Sequence, residues 1–218
     1  MTFKTTCAAA AVLFAAAGAT YAQDWTGSYG GAQVGLGKTD LTGFVTPLPF
    51  IRYSGDGSFG SNLMGGGFAG HNWQVTPNLV FGAELDIALG TIEGQGTAVG
   101  GPTEIFTHSY SNTVALRLRA GYATGAFLPY IALGMASSEF EFTTGGTLSP
   151  NSRTDRITGM TYGLGLDWAR TEDRFLRIEL RETEYDNQSY TGLSGGVFPI
   201  TASDLSTREV RVGYGMNF

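Results

Sequence analysis

The sequence predicts an all-β protein, an eight-stranded antiparallel up-and-down transmembrane β-barrel, and three observations carry that expectation. Bulky apolar residues alternate with small or charged ones at a period of two, over segments near the ~9–11 residues of a tilted membrane strand. Short and long connections alternate along the chain, as in barrels with tight turns at one rim and larger loops at the other. Composition agrees: 33 glycines in 218 residues, 42% hydrophobic and only 15% charged, suit a Gly-rich all-β chain better than a helical one.

Residues 1–22 read as a secretory signal, with Lys4 near the start, an apolar run over 7–17, and Thr20-Tyr21-Ala22 as a small-residue cleavage site. The mature barrel then spans 23–218, starting at Gln23. No stretch reaches ~18 consecutive apolar residues, which excludes a helical membrane protein. Cys7, the only cysteine, opens the apolar run instead of following it, which argues against lipid attachment and leaves the mature chain without disulfides. The formal charge of -6 becomes -7 without Lys4 (12 Lys and Arg against 19 Asp and Glu), and no basic cluster invites nucleic acid.

The elements follow in order. Over 29–37, Ala32, Val34 and Leu36 oppose Gly31, Gln33, Gly35 and Gly37. Over 64–73, Phe68 and Trp73 fall on opposite parities, which a bulge or a misplaced strand end would explain. Over 79–89, Phe81, Leu85, Ile87 and Leu89 oppose Gly82, Glu84, Asp86 and Ala88; over 111–122, Val114, Leu116 and Leu118 oppose Ala115, Arg117 and Arg119. Ile131, Leu133 and Met135 oppose Tyr130, Ala132 and Gly134 within 127–135, and Leu164, Leu166 and Trp168 oppose Gly163, Gly165 and Asp167 within 158–168. Over 175–185, Leu176, Ile178 and Leu180 oppose Arg177, Glu179 and Arg181. The last segment, 208–218, sets Val210, Val212, Tyr214, Met216 and Phe218 against Glu209, Arg211, Gly213 and Gly215, and pairs with 29–37 to close the barrel.

Short turns are expected at 74–78, 123–126 and 169–174, marked by Pro77, Gly125 and Asp173, and four long loops at 38–63, 90–110, 140–157 and 186–206. The even strand count puts both termini on the short-turn side.

A soluble ligand-carrying barrel would have the same strand count but needs a polar exterior. Here the polar faces are mostly Gly, Ala, Thr and a few ions, too small a set for a solvated exterior, whereas the opposite faces are bulky and uncharged. Lipid outside explains both, since a charge on the lipid face at mid-bilayer costs roughly 2–4 kcal/mol. Trp25, Tyr29, Trp73, Phe127, Trp168, Phe175 and Phe218, at strand ends, are expected to form the interfacial girdles. The lumen then holds Glu84, Asp86, Asp167, Glu179 and Glu209 with Arg117, Arg119, Arg177, Arg181 and Arg211. Five acids against five arginines is the balance an internal ionic network needs, and a planar guanidinium can bridge two carboxylates. The alternative is a charged constriction in a conducting pore, but eight strands enclose little more room than their own side chains fill.

The leader, the opening GSYGGAQVGLG, the stretch GGFAGHNWQ followed by NLVFGAELDI, and the aromatic C-terminus resemble the small outer-membrane β-barrel proteins of Gram-negative bacteria. These include opacity-type and porin-like surface antigens, similar in architecture to the OmpA membrane domain. The resemblance implies residence in the cell outer membrane among its lipids and lipopolysaccharide, and a monomer. It also implies that Val210, Val212, Tyr214, Met216 and Phe218 form the signal read by the outer-membrane assembly machinery. No downstream domain follows the barrel pattern, so peptidoglycan binding is not implied.

Other motifs carry less. GDGSFG at 55–60 matches a dinucleotide-binding fingerprint but no helix follows. His71 and His108 have no metal-ligand partner at helical or strand spacing. His108-Ser109, with Glu104 as the nearest acid, lacks the assembled base, nucleophile and orienting acid of a hydrolase. The sequence therefore points to no enzyme, cofactor or metal. It points to a surface protein with a structural, adhesive or interaction role, through loops that could meet a host or surface partner; a low-conductance passive porin for small hydrophilic solutes is the alternative.

Overall fold

A computed structural model describes residues 23–45, 52–57, 62–99, 105–144, 151–190 and 200–218. The expected leader at 1–22 and its cleavage site lie outside the described residues, as do 46–51, 58–61, 100–104, 145–150 and 191–199. The strands are β1 (Gly27–Val45), β2 (Arg52–Asp56), β3 (Leu63–Gln74), β4 (Leu79–Val99), β5 (Ile105–Tyr122), β6 (Phe127–Thr144), β7 (Asn151–Ala169), β8 (Arg174–Tyr185), β9 (Gln188–Tyr190) and β10 (Ile200–Asn217).

All ladders are antiparallel, in the order β1-β3-β4-β5-β6-β7-β8-β10. β10 then pairs back onto β1, from Tyr29↔Asn217 through Gly37↔Glu209, and closes the ring as the sequence predicts. The two short strands occupy slots already in that ring. β2 lies between β1 and β4 beyond the end of β3, and β9 pairs with β10 beyond the end of β8. Eight staves therefore form the wall, two of them interrupted. At the break between β2 and β3, the Asn62 amide stands in for missing backbone: its Nδ2 donates to the Glu93 carbonyl at 3.0 Å and its Oδ1 accepts from the Glu93 N–H at 3.2 Å.

Tight turns at one rim follow the sequence. Val75 N–H donates to Leu79 O at 2.9 Å, Phe127 N–H to Thr124 O at 3.0 Å, and Arg170 N–H to Arg174 O at 2.8 Å. Gly125 adopts φ 57°, the left-handed conformation that glycine tolerates without a Cβ clash.

At the other rim the expected long loops are largely strand. β1 and β7 run 19 residues, β4 runs 21, and β5, β6 and β10 run 18, so that strand covers more than half of 38–63, 90–110 and 140–157 and about half of 186–206. The physical reason lies in the side chains. On β6 the outward residues change from Ile131, Leu133 and Met135 to Glu139 and Glu141, while the inward ones change from Ala132 and Ala136 to Phe140 and Phe142. The alternation continues with its polarity inverted: an apolar exterior below, an apolar interior above. At ~3.4 Å per residue and a tilt near 40°, β4 spans roughly 55 Å along the axis, about twice the ~25 Å apolar band of such barrels.

Of the two explanations for the mixed parity over 64–73, the bulge is absent. β3 pairs without a register break on both sides, with Phe68 turned inward and Trp73 outward. The irregularities fall between Ala88 and Thr91 around Gly90 (φ 120°) and between Ser111 and Val114 around Asn112 (φ 50°), where polarity inverts, and between Asp40 and Thr42, opposite Asp204 (φ 51°). Across Asn112 the inward parity of β5 switches from Phe106, His108 and Tyr110 to Ala115, Arg117 and Arg119.

The girdle expectation is corrected in part. Trp73, Phe127, Trp168 and Phe218 face outward or lie on the rim, but Trp25, Tyr29 and Phe175 are buried in the lumen with Phe68, Val80, Ala123 and Leu128. Tyr29 and Phe175 share parity with Gln33 and Arg177, so the pleat places them inside despite their position at strand ends.

Candidate functional site

The barrel interior is layered from rim to rim. At the short-turn end, Trp25 packs edge-on against Phe175, with centroids 6.4 Å apart, and Tyr29 packs against Phe175 at 6.0 Å. Above the belt lie Leu41, Ile92, Phe106, Tyr110, Phe140, Phe142, Ile157 and Leu205, all at most 3% exposed. Between the two aromatic layers lie the ten ions named from the sequence, none more than 4% exposed.

The structure brings all ten into one connected chain. Arg177 grips Asp167 through Nε and Nη2 at 2.7 and 2.9 Å and donates to Glu84 through Nη1 at 2.6 Å. Arg119 joins the same two acids, at 2.7 Å to Asp167 and 3.2 Å to Glu84. Arg117 links Glu84 to Glu179, donating to both carboxylate oxygens of the latter at 2.6 and 3.1 Å. Arg181 bridges Glu179 and Asp86 at 2.8 and 2.7 Å, and Arg211 bridges Asp86, at 2.8 Å, to Glu209. Planar, two-edged guanidiniums make this possible, since each reaches two acids on different strands.

Neutral residues that the count of ions overlooks complete the site. Tyr29 OH donates to Glu84 at 2.9 Å, Tyr130 OH to Glu179 at 2.6 Å, and Gln33 Nε2 to Asp86. Their inward parity was the available signal. Arg119 also lies 3.7 Å over the Tyr130 ring and Arg177 4.1 Å over Phe68, so the ionic layer is fused to the aromatic layer beneath it. Glycines make room: a Cβ at Gly165 would overlap the Tyr130 ring, and one at Gly134 would meet the Arg117 stem.

Such an arrangement neutralises, fills and stiffens the lumen. Among the described residues no group of His, Cys, Asp and Glu could hold a metal ion. His108 and Ser109 face opposite sides of β5, His108 fully buried and Ser109 partly exposed, so they cannot act as a nucleophile-base pair, and Glu104 lies outside the described residues. His71 sits on the outer face and shares a 3.0 Å hydrogen bond with Ser28. Gly55 and Asp56 lie in β2, and 58–60 lie outside the described residues.

The C-terminal residues line the outer wall. Val210, Val212, Tyr214 and Met216 are 37 to 50% exposed and Phe218 is 80% exposed, its N–H donating to Ser28 O at 2.9 Å.

Comparison with known proteins gives a consistent picture. The family model for the outer membrane protein beta-barrel domain matches residues 5–218. The 25 kDa outer-membrane immunogenic protein of Brucella abortus is 29% identical over 198 residues, 89% of this chain and 79% of that protein. A 22 kDa outer membrane protein of Rhizobium leguminosarum is 29% identical over 167 residues, 74% of this chain and 72% of that protein. Among solved structures, OprG from Pseudomonas aeruginosa aligns with a TM-score of 0.59 at 16% identity, over 90% of this chain and 98% of that one; at that identity the likeness speaks for the fold alone.

Proposed function

Because the chain belongs to the outer membrane protein beta-barrel domain family and lies in the cell outer membrane, we propose that it is a closed surface barrel, a structural and display element with no conducting pore. The observation that carries this reading is the filled lumen: an aromatic layer, a fully paired chain of ten ions, and a second aromatic layer lie in series along the axis. A conducting pore needs a continuous watery path, and here the ions are bonded to one another. On this reading the tight turns face the periplasm and the strand hairpins project outward, beyond the lipopolysaccharide leaflet, to meet a host or surface partner. The names of the Brucella relatives, outer-membrane immunogenic proteins, support exposure of those hairpins. The chain acts as a monomer without catalysis, and its outward C-terminal residues engage the assembly machinery during insertion.

Planar-bilayer recording tests the proposal. The purified chain should give no discrete conductance steps, and neutralising Arg177 or Arg181 should be needed before any appear. Regular steps in the wild type, with selectivity altered by Arg181→Gln, would establish the porin instead.

A further inference from the structure

Above the apolar belt one buried group is treated unlike every ion below it. His108 on β5 is fully buried, and neither ring nitrogen has a hydrogen-bond partner among the described residues. Phe106 and Tyr110 flank it on the same strand, with centroids 6.0 and 6.2 Å away. Glycines make its space: a Cβ at Gly94 on β4 would meet the imidazole Cε1 at 2.6 Å, and one at Gly55 on β2 would meet it at 3.1 Å. The charged groups at this level on the surrounding elements are Lys38 and Asp40 on β1, Arg52 and Asp56 on β2, Glu93 on β4, and Glu139 and Glu141 on β6. All sit on the outer side of the wall, exposed or half-buried, and none bonds the ring.

A neutral imidazole fits that apolar pocket, but an imidazolium would carry a charge and two N–H donors with no acceptor in reach. We propose that His108 is an acid-sensitive switch, whose protonation opens the hairpin end of the barrel while the membrane-embedded ring stays closed. Burial pushes the ring's pKa down to about 4 from 6.5, against a smaller upward pull from Asp40 and Asp56. The folded value is thus below the unfolded one, and between pH 6.5 and about 4 the opened state binds more protons. Hairpin stability is therefore fully present above pH 6.5, falls as pH drops through that window, and levels off below about 4. With one proton taken up per opening, the opening constant rises by up to about tenfold per pH unit. Each arginine of the lumen, in contrast, bonds at least one carboxylate, and that network holds the ring beneath.

Amide hydrogen exchange on the full chain in phospholipid vesicles, corrected for intrinsic pH dependence, provides the test. Protection at 92–97 and 106–110 should fall between pH 6.5 and 4, while 114–120 and 175–181 stay protected. His108→Phe should abolish that dependence, and His108→Gln serves if the phenylalanine does not fold. Hairpin protection that is flat with pH, an unchanged dependence in the variant, or simultaneous loss in the membrane strands would overturn the proposal. Should neither variant fold, the imidazole resonances of the wild type decide: titration together with opening supports the switch, and titration inside a closed hairpin barrel sinks it.

Discussion

Glu84 is the busiest carboxylate in the molecule, accepting from Arg117, Arg119, Arg177 and Tyr29. Removing its charge leaves three guanidiniums crowded in a buried layer, and breaking such a buried network costs about 3–5 kcal/mol. Glu84→Gln should therefore lower the urea midpoint of unfolding in vesicles by a correspondingly large amount. Arg208→Gln, which loses the exposed pair with Glu182 at 2.8 Å, should cost less than about 1 kcal/mol. Equal midpoint shifts for the two variants would mean that the lumen network adds no stability. All ten ions were legible in the sequence, because a period of two fixes which face each occupies. Their pairings were not. Glu84 meets Arg177 across 93 positions of chain, a match set by strand register and barrel closure, which no local pattern encodes.

At the level of the strand, β6 carries the transition from lipid to water. Leu133 is 54% exposed in the apolar belt, and Ser137 is the next outward position after the last apolar one, Met135. Leu133→Arg should cost about 2–4 kcal/mol of folding free energy in vesicles and Ser137→Arg about 0–1, the depth dependence of a charge on a lipid-facing wall. Comparable costs at both sites would put the belt boundary elsewhere. The membrane half of each strand was legible because grease outside and small or ionic residues inside make a strong contrast. The upper half was not, because Glu139-Phe140-Glu141-Phe142 keeps the same alternation with its meaning reversed, and so reads as the end of a membrane strand. Tyr29 and Phe175 failed differently: their parity pointed inward, but an aromatic residue at a strand end invites the girdle reading. On β10, Phe218 contributes one backbone bond and an exposed ring, so deleting it should barely change stability after refolding in detergent. Its loss should nonetheless lower the amount of barrel in the cell envelope several-fold. An undiminished envelope level would show that the machinery does not read it.

The whole molecule is a single wall around three interior layers, and its two halves obey opposite solvent rules within one continuous set of strands. That continuity couples the surface hairpins to the membrane ring mechanically, because β4, β5, β6 and β7 pass through both. A force on the described hairpin strands is therefore carried by a hydrogen-bonded sheet into the membrane ring.

The β1–β10 seam also governs when the fold can exist. Tyr29 pairs with Asn217, so β1 and β10 meet only after every other strand of the wall has been made. Any shorter length of chain has two raw edges, each offering unpaired N–H and C=O groups to the nearest strand of another molecule. The wall therefore cannot be completed strand by strand from its N-terminal end. Until β10 joins β1 and the seam zips shut, those edges favour pairing between copies of the chain.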